Sequence, residues 1–146
     1  MRELGHLFKE GDAVTILGRA YKNRYNRQRF LEIKLYDESK SLVENIVNPI
    51  VADHLYLDPE NLQEFKKFEH YGHDLVVLKG TIQKYYRLYT NDIDVSLDNC
   101  KIITWYAYNN STKVFNVLSY KNGEVQIVDK YNYNKYFAKL FNPYST

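Results

Sequence analysis

The chain has 146 residues, 45% of them hydrophobic, 26% charged and 16% aromatic, with a net charge of +2. That length suits one domain able to bury roughly 68–70% of its unfolded surface, and the small net charge excludes strong whole-molecule attraction to a polyanion. A single cysteine, Cys100, excludes an internal disulfide and an all-cysteine zinc site, and no run nears the ~20 apolar residues of a membrane span.

Residues 1–11 read as a polar-apolar lead-in without the apolar core of a secretory signal. With the single cysteine, this sets the expectation of a cytoplasmic protein. From Asp12 the pattern alternates, with Val14, Ile16, Gly18 and Ala20 on one side and Thr15, Leu17, Arg19 and Tyr21 on the other. That is strand periodicity, and Gly18 sits where a bulge or sharp coil belongs. Polar residues Asn23 to Gln28 form a loop. Arg29 to Asp37 alternates again, with Leu31, Ile33 and Leu35 expected inward and Phe30, Glu32, Lys34 and Tyr36 outward. Asp37-Glu38-Ser39-Lys40 turns into a third extended stretch, Ser41 to Val47, interrupted by Pro49 and continued over Asp53 to Leu57.

Asp58-Pro59-Glu60 predicts a helix start, because Asp58 can accept from free backbone amides and proline suits the first helical position. Leu62, Phe65 and Phe68 give its buried stripe, and Gly72 its stop. His73 to Arg87 reads as a long strand, Tyr89-Thr90-Asn91 as loop, and Asp92 to Trp105 as a further strand. Then Lys113–Tyr120 and Glu124–Lys130 flank Lys121-Asn122-Gly123, a strong hairpin signal. Asn134 to Phe141 carries Phe137, Leu140 and Phe141 at the spacing of a short amphipathic helix.

Three strands, a helix and two strands, with glycines inside long strands, resemble the OB fold over about Asp12 to Trp105. The resemblance implies an all-β chain: a five-stranded Greek-key barrel with one helix between strands 3 and 4. Residues 106–146 are then a C-terminal extension of hairpin and short helix packed on the same domain. A different small β-barrel or an α+β sandwich are the competing architectures.

Charge is unevenly spread. Gly18 to Leu31 carries five cations and no acid, whereas Glu32 to Asp74 carries ten acids against four bases. Leu75 to Asn91 is also acid-free. Cations follow the phosphates of an unpaired strand while rings stack on its bases. In the OB arrangement the loops after strands 1 and 4 flank one oligonucleotide-binding face, so both acid-free stretches select the same surface. Arg19, Lys22, Arg24, Arg27, Arg29, Lys84 and Arg87 are the candidate phosphate contacts, with Lys34 beside them. Tyr21, Tyr25, Phe30, Tyr36, Tyr85, Tyr86 and Tyr89 are the candidate stacking platforms. Tyr85 and Tyr86 are adjacent in a strand and must face opposite ways, so one of them belongs to the core.

The family then resembled is that of phage, plasmid and bacterial single-strand-binding proteins. It implies non-sequence-specific binding of single-stranded DNA in replication, repair or conjugative transfer. A homo-oligomer is expected with it. Bacterial members usually end in an acidic tail, but Lys130 to Thr146 contains no acid and six aromatics, so recruitment through such a tail is not expected. RNA as the polymer, or a protein-interaction scaffold without nucleic acid, are the alternatives. No cofactor and no enzyme activity are expected. His70 and His73 are split by Gly72, Asp92, Asp94 and Asp98 read as a solvated strand face, and no glycine-rich phosphate loop occurs.

Overall fold

The computed structural model describes residues 3–68, 73–86, 93–109 and 111–132. Seven strands form one antiparallel sheet: β1 Ala13–Lys22, β2 Gln28–Leu35, β3 Ile50–His54, β4 His73–Tyr86, β5 Ile93–Asn109, β6 Val114–Lys121 and β7 Glu124–Asn132. Their spatial order is β3-β2-β1-β4-β5-β6-β7. Among the described residues there are also three short helices, α1 Leu4–Leu7, α2 Leu42–Ile46 and α3 Pro59–Lys66.

The chain is mostly β, as its alternation predicts. The closed five-stranded barrel is not found. β5 pairs with β4 from Ile93 to Tyr106 and runs on without a break to pair with β6. On the side of β3, the pairing among the described residues is one parallel bridge, from Tyr56 just beyond β3 to Ser96. Helix α3 occupies the gap. Asn61 Nδ2 donates to Leu97 O at 3.1 Å, and Glu64 Oε1 accepts the Ile102 N–H at 3.2 Å. Helix side chains thereby satisfy backbone groups that a closing strand would otherwise pair.

The central strands are buried on both faces of the sheet. Val14, Ile16 and Ala20 of β1 enter one core, and Leu17 enters the other, as the alternation predicts. The first core is built on rings. Phe65 meets Phe30 edge-on at 5.3 Å and Trp105 at 5.6 Å, while Phe68 stacks on Trp105 at 4.9 Å. Trp105 Nε1–H donates to the buried Asp74 carboxylate at 2.8 Å, and the Tyr108 N–H donates to its other oxygen at 3.2 Å. The second core joins Leu17, Leu75 and Val77 to Leu42 and Ile46 of α2 and to Phe115.

Two segments depart from the sequence reading. The stretch expected as a strand from Ser41 to Val47 is helix α2. Ser41 Oγ accepts the Glu44 N–H, and Glu44 Oε1 accepts the Ser41 N–H, each at 3.2 Å, which is a capping box. Asn45, fully buried, bonds through Nδ2 to Asp37 O and Ser41 O, and its Oδ1 accepts the Asp37 N–H. Strand β2 also changes phase. Leu17 pairs with Lys34 but Arg19 pairs with Leu31, so β2 holds one extra residue. Glu32 absorbs it at φ 56°, and both Phe30 and Ile33 end wholly buried. Phe30 therefore faces inward.

Other local signals hold. Asp58 Oδ1 accepts the Asn61 N–H at 2.8 Å ahead of Pro59, and Asn122-Gly123 turns the β6–β7 hairpin with φ of 53° and 80°. The helix expected over Asn134 to Phe141, and the stop at Gly72, lie outside the described residues. Among the described residues no helix is long and apolar enough to cross a membrane.

Gly18 is required by packing. A Cβ there would lie 2.6 Å from Phe30 Cε1 and Cζ and 2.9 Å from Ile33 Cδ1. Both neighbours are locked in the core. Gly18→Ala is expected to destabilise the fold by about 1–3 kcal/mol through overpacking, read as a lower urea midpoint at unchanged m-value.

Candidate nucleic-acid interface

The β1–β2 loop is held by one side chain. Asn23 Oδ1 accepts the N–H groups of Tyr25 and Arg27, both at 3.0 Å, and Asn26 takes the left-handed conformation at φ 60°. Asparagine tolerates that conformation better than most residues. The loop presents Arg24 over the ring of Tyr25 at 4.8 Å, with Tyr25 68% exposed. It sets Asn26 and Arg27 on the rim of a cleft of about 1030 Å³.

Three other elements complete that cleft. The end of β3 and the segment after it bring His54, Tyr56 and the apolar Leu55 and Leu57, while α3 brings Leu62, Phe65 and Lys66. The far end of the β4–β5 ladder brings Tyr85 and Asp94. Lys22, Gln28 and Arg29 close the wall at the base of the first loop. Among the described residues, four cations and one carboxylate line the cleft together with apolar side chains. A low-dielectric floor strengthens their field on an anion in the cleft. The volume is at the upper end of the roughly 300–1,000 Å³ typical of ligand pockets.

The predicted contacts divide. Lys22, Arg27 and Arg29 line the cleft, and Arg24 and Tyr25 project from the loop beside it. Arg19 does not line it. Its guanidinium pairs with Glu32 at 3.1 Å, on the residue that forms the bulge. Phe30 is a core ring with no exposed surface, so it cannot stack on a base. Lys34 Nζ donates to Ile46 O at the C-terminal end of α2, where a cation is favoured. Burial holds its pKa below the usual lysine value, against the opposing charge of Glu32.

Tyr36 packs into the second core beside Tyr106. Burial, and then the neighbouring Tyr36, push the Tyr106 phenol above its ordinary range. Tyr21 and Lys84 are half-buried and do not line the cleft. The Lys84 N–H donates to Glu10 Oε1 at 3.4 Å. Tyr86 ends β4, and Arg87 and Tyr89 lie outside the described residues.

Tyr85 lines the cleft and is 40% exposed. His54, Tyr56, Lys66 and Asp94 were not among the expected contacts. Tyr56 had a readable signal, because it stands between Leu55 and Leu57, both buried, and is itself 61% exposed. Lys66 and Asp94 had none, since only the fold carries α3 and the β5 end to the loop.

Among the described residues no group of three metal-ligating side chains exists. Burial pushes the Cys100 thiol up to about 12, with the charges of Asp58 and Asp98 adding to it. No protein-family model, curated protein or solved structure matches the chain.

Two expectations separate packing from surface. Phe30→Ala should cost about 3–5 kcal/mol in urea unfolding, whereas Tyr25→Ala should stay within about 0.5 kcal/mol. Cys100 should alkylate at pH 8 at least roughly tenfold more slowly in the native protein than in the urea-unfolded chain. Its raised pKa has the linked consequence that its contribution to stability is complete below pH 9 and lost as pH rises towards 12.

Proposed function

We propose that the chain binds single-stranded DNA, without strong sequence preference, in the cleft between the β1–β2 loop and the β4–β5 end. The observation that carries this is convergence. Arg27 and Arg29 from one acid-free stretch and Tyr85 from the other line the same cavity, although more than fifty residues separate them in sequence. Phosphates would lie against Lys22, Arg27, Arg29 and Lys66, and bases would stack on Tyr56 and Tyr85 above the apolar floor. Each stacked base contributes about 1–3 kcal/mol in such sites.

The reading extends to architecture. Strands β1 to β5 are proposed as an OB-type barrel left partly open between β3 and β5. Support comes from the order β3-β2-β1-β4-β5, from α3 between β3 and β4, and from the single Tyr56–Ser96 bridge across the gap. OB barrels bind oligonucleotides between their first and last connecting loops. The module would serve replication, repair or transfer of DNA as a homo-oligomer.

Titration of a labelled oligo-dT at several salt concentrations tests the proposal. Four cleft cations, each neutralising one phosphate at about 0.7 per contact, give a log–log slope of about −3. Arg27→Glu with Arg29→Glu should weaken low-salt binding by about tenfold or more and flatten the slope by about 1.4. Binding that survives both changes unaltered, or no binding at low salt, would overturn the assignment. Tighter binding of a matched RNA oligomer would move the substrate to RNA.

A further inference from the structure

We infer that Asp94 makes the cleft prefer bases with N–H donors on their pairing edge, guanine first. This rests on the nucleic-acid reading above and adds a preference at one base position to it. Tyr85 and Asp94 are directly opposed in the β4–β5 ladder, so their side chains share a face, with Cβ atoms about 4.5–5.5 Å apart. Both line the cleft. A base stacked on Tyr85 therefore brings its edge beside the Asp94 carboxylate.

That carboxylate is held in place. The Val95 N–H donates to Asp94 Oδ1 at 3.0 Å. An ionised carboxylate offers about four acceptor sites, so it can serve a base edge in addition to the partners it already has. It can donate nothing. A phosphate placed against it would be repelled, whereas Lys22, Arg27, Arg29 and Lys66 elsewhere on the lining attract one. This difference orients the strand, with its backbone towards the cations and a base edge towards Asp94.

The edge chemistry then ranks the bases. Guanine presents N1–H and an N2 amino group side by side, matching two carboxylate oxygens. Cytosine and adenine present one amino group next to acceptors. Thymine presents a single N3–H between two carbonyl oxygens, whose lone pairs oppose the carboxylate. Bidentate recognition of a base edge by one side chain gives discrimination of about five- to a hundredfold.

The test is fluorescence anisotropy with a dT oligomer of about twelve nucleotides, carrying at its centre one dT, dC, deoxyinosine or dG. The full chain is expected to bind the dG oligomer about tenfold more tightly than all-dT, with inosine, which lacks the N2 amino group, in between. Asp94→Asn turns one acceptor into a donor and should bring dG and dT to within about twofold. Equal binding of the whole series by the unaltered protein would overturn the preference and leave strand binding standing. A dG preference that persists in Asp94→Asn would overturn the role of Asp94. Failure of every oligomer to bind at low salt would overturn both this inference and the strand-binding reading beneath it.

Discussion

The contact between the Phe30 ring and the bare Cα of Gly18 governs much of this molecule. A wholly buried phenylalanine lies where any β-carbon on the neighbouring strand would stand. β2 reaches that position only because Glu32 inserts an extra residue at a left-handed φ, which resets which side chains face inward. The ring then bridges to Phe65 of α3, and through it to Trp105 of β5. One bulge thus ties the first loop to the helix. Arg29, immediately before Phe30, is fixed on the cleft by the same constraint.

Helix α3 has two consequences from one placement. Its cap at Asp58, its buried Asn61 and its Glu64 carboxylate fasten it to the edge of β5. Those bonds stand where a barrel would close, and they leave the sheet free to extend through β6 and β7. The same helix supplies Leu62, Phe65 and Lys66 to the cleft. Phe65 belongs to both the first core and the cleft lining, so the cleft rests on buried, packed side chains. A site on such a base is preorganised, because side-chain ordering is completed by folding and not by ligand.

Legibility in the sequence followed the range of the interaction. The α3 cap at Asp58-Pro59 and the Asn122-Gly123 turn depend on residues adjacent in sequence, and both could be read directly. Gly18 signalled a bulge, but its consequence fell on the partner strand, where Glu32 gives no compositional warning. Phe30 was assigned outward because a strict alternation was carried through that unseen residue, whereas Tyr36 keeps its assigned face and is covered there by the second core. The Ser41–Glu44 capping box was in plain view, yet it was outweighed by the apolar Leu42, Val43, Ile46 and Val47. The arginine-rich stretch supplies Lys22, Arg27 and Arg29 to the cleft, while Arg19 within it is taken up by Glu32.

A chain of nearly balanced charge can still line one cleft with cations. Several cations outside the cleft are drawn into structure. Arg19 pairs with Glu32, Lys67 pairs with Glu64 at 2.8 Å while covering the Tyr120 ring, and Lys34 binds the end of α2. These contacts consume charge in packing and contribute little field at a distance, because each cation meets an acceptor at contact range. Among the described residues lining the cleft the balance is four cations to one carboxylate, beside apolar side chains. Net charge is a poor predictor here because the acids are not spread evenly. Glu32 and Glu64 neutralise structural cations, and the acid-free stretch leaves the arginines of the β1–β2 loop and the start of β2 to set the local potential.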